Sequence, residues 1–216
     1  MGCDIHTHIE YKRNIYVGTD ENNNAKYEEK WICGDFFTPN AYFGTDEDEK
    51  EYNLVGFCND RNYALFSILA DVRNYGNMDY ISQPKGLPEN ITEIVKKDAD
   101  DWGLDGHSHS YLTLKELIDF HNKSLPLKRR GMISPQSQKE LDEKGITPKM
   151  WCQGTNQEGW EFREWTEENN VLVPLIEALK ERANEHSVIY SFWWEREPEK
   201  AYKLSDKIRI VFWFDN

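Results

Sequence analysis

The chain has 216 residues, of which 38% are hydrophobic and 13% aromatic, so it can bury one large core. Its formal net charge of −13 excludes ordinary binding to duplex nucleic acid, because that binding depends on lysine and arginine neutralising phosphates. It has no apolar run long enough for a membrane span, and its four cysteines form no Cys-x-x-Cys pair. We therefore expect a thiol-reduced cytoplasmic protein with no membrane partner.

The first half of the chain predicts strands and then a helix. Residues 3–12 and 14–18 are rich in Ile, Tyr and Val and predict two short strands, and a third strand is predicted at 27–33. The acidic segment 45–51 is typical of a loop. Apolar residues at helical spacing then predict a core helix at 61–73.

The second half of the chain predicts four helices and two strands. The helices are expected near 91–100, 113–121, 134–145 and 170–185, and the strands at 187–194 and 207–214. The last strand is apolar on both faces from Ile210 onward, as in a central strand. We predict an α+β fold with a mixed, mostly antiparallel sheet, N- and C-terminal strands in the core and helices packed against it. It should be a single domain, 1–216, with a less regular, tryptophan-rich insert at about 122–165.

Two copies of one pattern, Asp-x-His-[Ser/Thr]-His, stand at residues 4–8 and 105–109 and contain four of the six histidines. We call them the first and second pentads. In an extended segment alternate side chains share a face, so Asp4, His6 and His8 should project from one side of the first strand. Imidazoles and a carboxylate on one face are suitable ligands for Zn²⁺ or Mn²⁺.

The second pentad stands just before a predicted helix N-terminus, a favourable place for anions because free N–H groups and the helix dipole point at the ligand. A shared ion, two neighbouring ions and separate roles all fit the pattern, as do a hydrogen-bonded polar core and an anion site in which the imidazoles only donate. We predict that the pentads converge on a divalent metal centre. The predicted ligands are His6, His8, His107 and His109, with Asp4 and Asp105 as catalytic carboxylates.

Four further side chains are candidates for binding a substrate phosphate. Lys85 lies in the stiff turn 84–88, for which a plain connector is the alternative interpretation. Arg61 begins the predicted helix 61–73. Ser110 and Thr113 follow the second pentad, although Thr113 is also suited to capping the next helix.

Several segments resemble a family of uncharacterised proteins common in bacteriophage genomes. They are the opening Met-Gly-Cys-Asp-Ile-His, the helix at 61–74, Pro-Lys-Gly-Leu-Pro at 84–88 and Asp-Gly-His-Ser-His-Ser-Tyr-Leu-Thr-Leu at 105–114. The resemblance covers most of the chain and implies a phage protein that acts in a bacterial cytoplasm, without implying an activity. The first pentad alone is similar to the His-x-His edge of amidohydrolases and of the polymerase-and-histidinol-phosphatase type of phosphoesterase. Those are barrel proteins, and this chain lacks the regular strand and helix alternation of a barrel, so we interpret the likeness as convergent.

Three hypotheses follow from these features. The first is a metal-dependent hydrolase of a small phosphate-containing, nucleotide-like substrate, in which the metal lowers the pKa of bound water. The second is a non-enzymatic phage protein that sequesters a nucleotide signal or binds a host protein. The third is a structural metal site. The sequence is also compatible with a homo-oligomer.

Overall fold

The computed structural model describes residues 2–40, 52–58 and 61–216. The acidic segment 45–51, predicted to be a loop, lies outside these residues.

Strands and helices alternate irregularly along the described chain. The strands are β1 (Asp4–Thr19), β2 (Ala25–Cys33), β3 (Phe36–Pro39), β4 (Tyr52–Val55), β5 (His107–Thr113), β6 (Leu127–Ile133), β7 (Glu161–Glu167) and β8 (Ile208–Asp215). The helices are α1 (Tyr63–Ala70), α2 (Glu93–Asp101), α3 (Leu114–Lys123), α4 (Pro135–Lys144), α5 (Val173–Glu185), α6 (Ser191–Arg196) and α7 (Pro198–Leu204), and a 3₁₀ turn at Ser205–Lys207 precedes β8.

The chain forms two compact units, one of residues 1–122 with 171–216 and the other of residues 123–170. The larger unit contains a four-stranded sheet in the order β2-β1-β8-β5, with every neighbouring pair antiparallel. β3 and β4 form a separate antiparallel pair. The predicted α+β class is confirmed, and the N- and C-terminal strands β1 and β8 are the two central strands of the sheet.

β8 and the first half of β1 are buried on both faces because helices cover each side of this part of the sheet. Ile5 and Ile9 of β1 and Phe212 of β8 belong to a large apolar cluster with side chains of α1, α3 and α5. On the other face, Val211 and Trp213 of β8 pack with α2. Two buried faces explain the continuous apolar run of β8.

A buried ion pair also lies on the face of the sheet that α2 covers. Glu10 and Arg209 are 0% and 3% exposed, and Arg209 donates from Nε to Glu10 at 2.7 Å. Glu10 also accepts from the N–H and hydroxyl of Thr92, at the N-cap of α2. This network connects β1, β8 and the start of α2.

Two predicted elements are wrong in detail. The two strands predicted at 3–12 and 14–18 are one continuous strand, because β2 pairs with β1 past the polar pair at 13–14. The strand predicted at 187–194 is instead a turn followed by α6. The N–H groups of Val188 and Ile189 both donate to the Ala183 carbonyl, so they close the end of α5 rather than join a sheet.

The residues that the sequence predicts as helix caps do cap α3 and α4. Thr113 and Glu116 form the predicted capping box, with the Thr113 N–H donating to the Glu116 carboxylate at 2.7 Å and the Glu116 N–H donating to the Thr113 hydroxyl at 3.2 Å. Ser134 caps α4, and Gly145 ends it with a φ of 65°. α1 ends earlier than predicted because Asp71 adopts a left-handed conformation, φ 58°.

The smaller unit corresponds closely to the insert that the sequence marks at about 122–165. β6 and β7 form an antiparallel pair, from Leu127 opposite Glu167 to Ile133 opposite Glu161, and α4 follows β6 in the chain. Trp165 is buried, and Trp151 packs edge-on to it. The segment thus contains a strand pair, a helix and a buried tryptophan.

Candidate functional site at the end of the sheet

The two pentads meet at one end of the sheet because β8 lies between the strands that carry them. Asp4 and His6 of β1 are opposite Asp215 and Trp213 of β8. His107 of β5 is opposite Phe214 on the other side of β8. Strand pairing therefore places the two pentads on either side of β8 at one end of the sheet. We call this group of side chains the sheet-end site.

His6 lies between a carboxylate and two indoles. Its Nε2 is 3.4 Å from an oxygen of Asp215, and both side chains are 19% exposed. The imidazole ring lies 4.0 Å from the ring of Trp102 and 5.7 Å from that of Trp213. Among the described residues, the buried Nε2 has no hydrogen-bond partner. His6 can therefore accept a ligand or a proton there.

His8 has a different environment, although it shares the same face of β1. Its Nδ1 is 2.8 Å from Asp35 and its Nε2 is 3.2 Å from Asp98 of α2. Burial alone would lower the pKa of His8, but hydrogen bonds to Asp35 and Asp98 outweigh it and raise the pKa to about 9. His8 is thus a cation at neutral pH, with both nitrogens donating. This arrangement does not favour the predicted role of His8 as a metal ligand.

A β-bulge makes the second pentad unlike the first. The β5–β8 register shifts between His107 and Ser110, so Ser108 and His109 together face Trp213. Ser108 has a φ of 52°, the left-handed conformation that such bulges use. The ring of His107 is 6.1 Å from that of Phe214, whereas the ring of His109 is 5.9 Å from that of Trp213. The two histidines therefore lie on opposite faces of the sheet, because consecutive β8 side chains alternate.

Both histidines of the second pentad retain ring nitrogens for a ligand. Burial, with a smaller contribution from the charge of His107, lowers the pKa of His109, so His109 is neutral at pH 7. Nδ1 of His107 lies 3.0 Å from the Ser108 hydroxyl. Its buried Nε2 has no hydrogen-bond partner in the described part of the chain. Asp105 is exposed in the turn before β5.

Asp4 and Arg61 form a bidentate ion pair at the rim of this group. Arg61 donates from Nε and Nη2 to the two oxygens of Asp4 at 2.7 and 2.6 Å, and these hydrogen bonds lower the pKa of Asp4. The Asp4 N–H donates to Asp215 at 3.1 Å. The carboxylate of Asp4 therefore positions Arg61 in this structure, and about half of the Arg61 side chain stays exposed.

The other predicted phosphate-binding residues make intramolecular contacts. The Lys85 ammonium is 2.7 Å from Glu116 and lies over the Tyr111 ring. Ser110 is fully buried and accepts from the Lys85 N–H. Thr113 caps α3. These contacts fasten the 84–88 turn to β5, which fits the connector interpretation better than the anion-binding one.

Sequence reasoning missed several residues of this site. Asp215 follows the last strand, where a carboxylate could be a ligand but is more often merely exposed, and nothing local marks it as the partner of His6. Trp102 precedes the second pentad in the chain, and no local pattern predicts its contact with His6. Asp35 and Asp98 lie far from His8 in the sequence, and no short-range pattern connects them to it. Arg73, with a φ of 52°, donates to Asn216 at 2.7 Å and so adds a second guanidinium near this end of β8.

The sheet-end site offers an incomplete set of ligands for a divalent ion. Among the described residues no group of three or more His, Cys, Asp or Glu side chains is arranged to hold a metal ion. Nevertheless, His6, His107 and His109 have nitrogen lone pairs and Asp215 has carboxylate oxygens, which is the donor chemistry that Zn²⁺ and Mn²⁺ accept.

Comparisons with protein-family models, curated proteins and solved structures found no match to this chain. Within the described residues, none of the helices has the length and apolar character needed to cross a membrane.

Proposed function

We propose that this chain is a phage-encoded hydrolase that acts, in the bacterial cytoplasm, on a small phosphate-containing, nucleotide-like substrate at the sheet-end site. The observation that carries the proposal is the buried Nε2 of His6, which has no hydrogen-bond partner among the described residues and lies 3.4 Å from Asp215. An unsatisfied buried nitrogen costs about 1–3 kcal/mol. A protein that retains one commonly uses it for a ligand or a proton.

The residues of the site suit different parts of such a reaction. His6 and Asp215 would supply two of the ligands of a Zn²⁺ or Mn²⁺ ion, and neutral His109 packs on the same indole, Trp213, as His6. Trp102, whose ring lies 4.0 Å from that of His6 and is tilted by 37° to it, offers an aromatic wall for a base. The bound ion would lower the pKa of a water molecule and stabilise charge on phosphoryl oxygens.

The charged rim supports substrate binding. Arg61 is held at the rim by Asp4 and keeps about half of its side chain exposed, so it can attract a phosphate without losing its ion pair. Electrostatic attraction of this kind matters in a chain with a net charge of −13, which otherwise repels anions.

Metal content and turnover, measured together on untagged protein, test the proposal. We expect Zn²⁺ or Mn²⁺ to support hydrolysis of at least one member of a panel of mono-, di- and cyclic nucleotides. His6→Gln should reduce bound metal and lower turnover by about 100-fold or more, because it removes a ligand nitrogen. His186→Gln, in a histidine distant from the pentads in sequence and packed on Tyr11, should leave both unchanged. Full metal content and turnover in His6→Gln would refute the proposal.

The second candidate function is sequestration of a nucleotide without turnover. It is favoured by the lack of a ready three-ligand metal group among the described residues. Tight, metal-independent binding of a nucleotide with no product formed would establish it. The absence of both binding and turnover across the panel would favour its other form, in which the chain binds a host protein.

A further inference from the structure

A two-stranded ribbon extends from the sheet of the larger unit, where β1 continues past β8. The ladder between β1 and β8 ends at Tyr11 opposite Ile208, whereas β1 pairs with β2 as far as Thr19 opposite Ala25. We call residues 12–31 the ribbon. Among the described residues β2 pairs only with β1, so its outer edge is open to another strand. Two strands alone are marginally stable in water, and a further strand would stabilise them.

The outer half of the ribbon exposes aromatic side chains. Tyr16 and Tyr27 are 57% and 59% exposed, although they are opposite each other in the ladder and their rings are in edge-on contact at 5.9 Å. Ile15 and Val17 of the same ribbon are exposed as well. Exposed apolar side chains that are grouped on one element are typical of a contact with another protein chain.

The ribbon is electrically neutral, although the whole chain is strongly acidic. It contains four lysine or arginine residues and four aspartate or glutamate residues, whereas the net charge of the chain is −13. Two copies of such a chain repel each other overall. A contact through the ribbon avoids placing the acidic surfaces of the two copies against one another.

The charge pattern of β2 is complementary to that of a second, antiparallel β2. Within one chain Glu28 lies 4.0 Å from the Lys26 ammonium and 3.3 Å from that of Lys30, so the three side chains share a face. If Tyr27 lies on a two-fold axis, Lys26 of each copy is opposite Glu28 of the other. A pairing centred on Glu28 would instead place Lys26 opposite Lys30 and the two Glu28 side chains opposite each other. Opposite charges across a ladder stabilise it and like charges destabilise it, so the pattern favours the first register.

We infer that the outer edge of β2 is an interface between two copies of this chain, which pair edge to edge around Tyr27 and join their sheets into one continuous sheet. Each Tyr27 then meets its counterpart, and each Tyr16 is already opposite the Tyr27 of its own chain, so four rings form a row across the contact. A closed two-fold dimer of this kind satisfies the open edge of both copies. The contact is short, so we expect a dimer in the micromolar range. The inference does not depend on the proposed hydrolase activity.

Analytical ultracentrifugation over a range of protein concentrations tests the dimer, and charge reversal tests its register. We expect a reversible equilibrium between monomer and dimer in the wild type. Lys26→Glu and Glu28→Lys should each weaken association at least tenfold, because each places like charges opposite each other at two positions. The two substitutions change the net charge in opposite directions, so an effect of overall charge cannot weaken both. Combined in one chain, they should restore association, because both ion pairs are formed again with their partners exchanged.

The matched control is Lys139→Glu, at an exposed position of α4 in the smaller unit, which should associate like the wild type. Circular dichroism of each variant verifies that these surface changes leave the fold intact. The inference is overturned if the wild type stays monomeric up to about 1 mM, the weak end of the affinity scale. It is also overturned if the single reversals leave association unchanged, or if the combined variant associates no better than the single ones.

Discussion

At the scale of single residues, neighbours decide what a histidine can do. His6 and His8 are two positions apart on the same face of one strand. His8 is enclosed by Asp35 and Asp98 and is held as a cation, whereas His6 meets one carboxylate at 3.4 Å and keeps a nitrogen without a partner among the described residues. The pentad therefore combines one structural and one chemically available imidazole.

The charge on His8 predicts an alkaline loss of stability. The pKa of His8 is raised from 6.5 to about 9 in the folded chain. The contribution of His8 to the free energy of unfolding is therefore complete below pH 6.5 and is lost as the pH rises through about 9. A shift of this size corresponds to roughly 3 kcal/mol. Urea unfolding at a series of pH values from 6 to 10 should show that the free energy of unfolding falls as the pH rises towards about 9.

Asp98→Asn should move the decline to lower pH, because one of the two carboxylates that stabilise the His8 cation is removed. Asp100→Asn, on the same helix and paired with exposed Lys96, is the matched control and should leave this alkaline decline unchanged, because Asp100 does not contribute to the pKa shift of His8. If the free energy of unfolding depended on pH in the same way in Asp98→Asn and in the wild type, Asp98 would not stabilise the His8 cation.

At the scale of elements, the bulge in β5 separates His107 from His109. Without the extra residue, strict alternation would place both rings on one face, as the sequence pattern predicts. Ser108 supports the bulge by adopting a positive φ, and its hydroxyl lies 3.0 Å from Nδ1 of His107. The different roles available to these two histidines are thus a property of the strand rather than of either residue.

Substitutions at Ser108 test this dependence. Ser108→Val should destabilise the chain by about 1–3 kcal/mol, because a β-branched residue is strained at positive φ. Ser108→Gly should cost little, since glycine adopts this conformation freely. Thermal unfolding of the two variants measures the difference. Equal stability would mean that the bulge does not exist in solution.

At the scale of the whole molecule, the sheet-end site has positive charge close by in a chain that is strongly acidic. Arg61 and Arg73 both lie near this end of the sheet. Local cations of this kind bind a ligand with few phosphates. A long array of phosphates would meet the acidic surface around them.

We therefore expect no duplex DNA binding at physiological salt. Fluorescence anisotropy of a labelled duplex should stay constant as protein is added, because a net charge of −13 opposes the phosphate contacts on which such binding depends. Repeating the titration at low salt shows whether any signal is nonspecific. A Kd tighter than about 1 μM at physiological salt, beyond the nonspecific range, would overturn the charge argument.

The sequence alone was sufficient for features that depend on neighbouring residues. It predicted the face shared by His6 and His8, the capping box of Thr113 and Glu116, the Ser134 cap and the central position of the last strand. Each of these depends on alternation, helical spacing or a hydrogen bond across three residues, all of which can be read in a short window. The α+β class follows from the helices and strands that these short patterns predict along the chain.

Only the tertiary structure decided what depends on distant pairing. Asp215 meets His6 because β1 and β8 are antiparallel neighbours, and Asp98 meets His8 because α2 packs on that face of the sheet. The β5–β8 register sets the bulge, and the end of α5 converts the predicted strand at 187–194 into a turn and helix. Register and packing are set by burial of side chains far apart in the chain, so no local pattern contains them. For this protein, the sequence determined which residues are available for chemistry, and the fold determined which of them can act together.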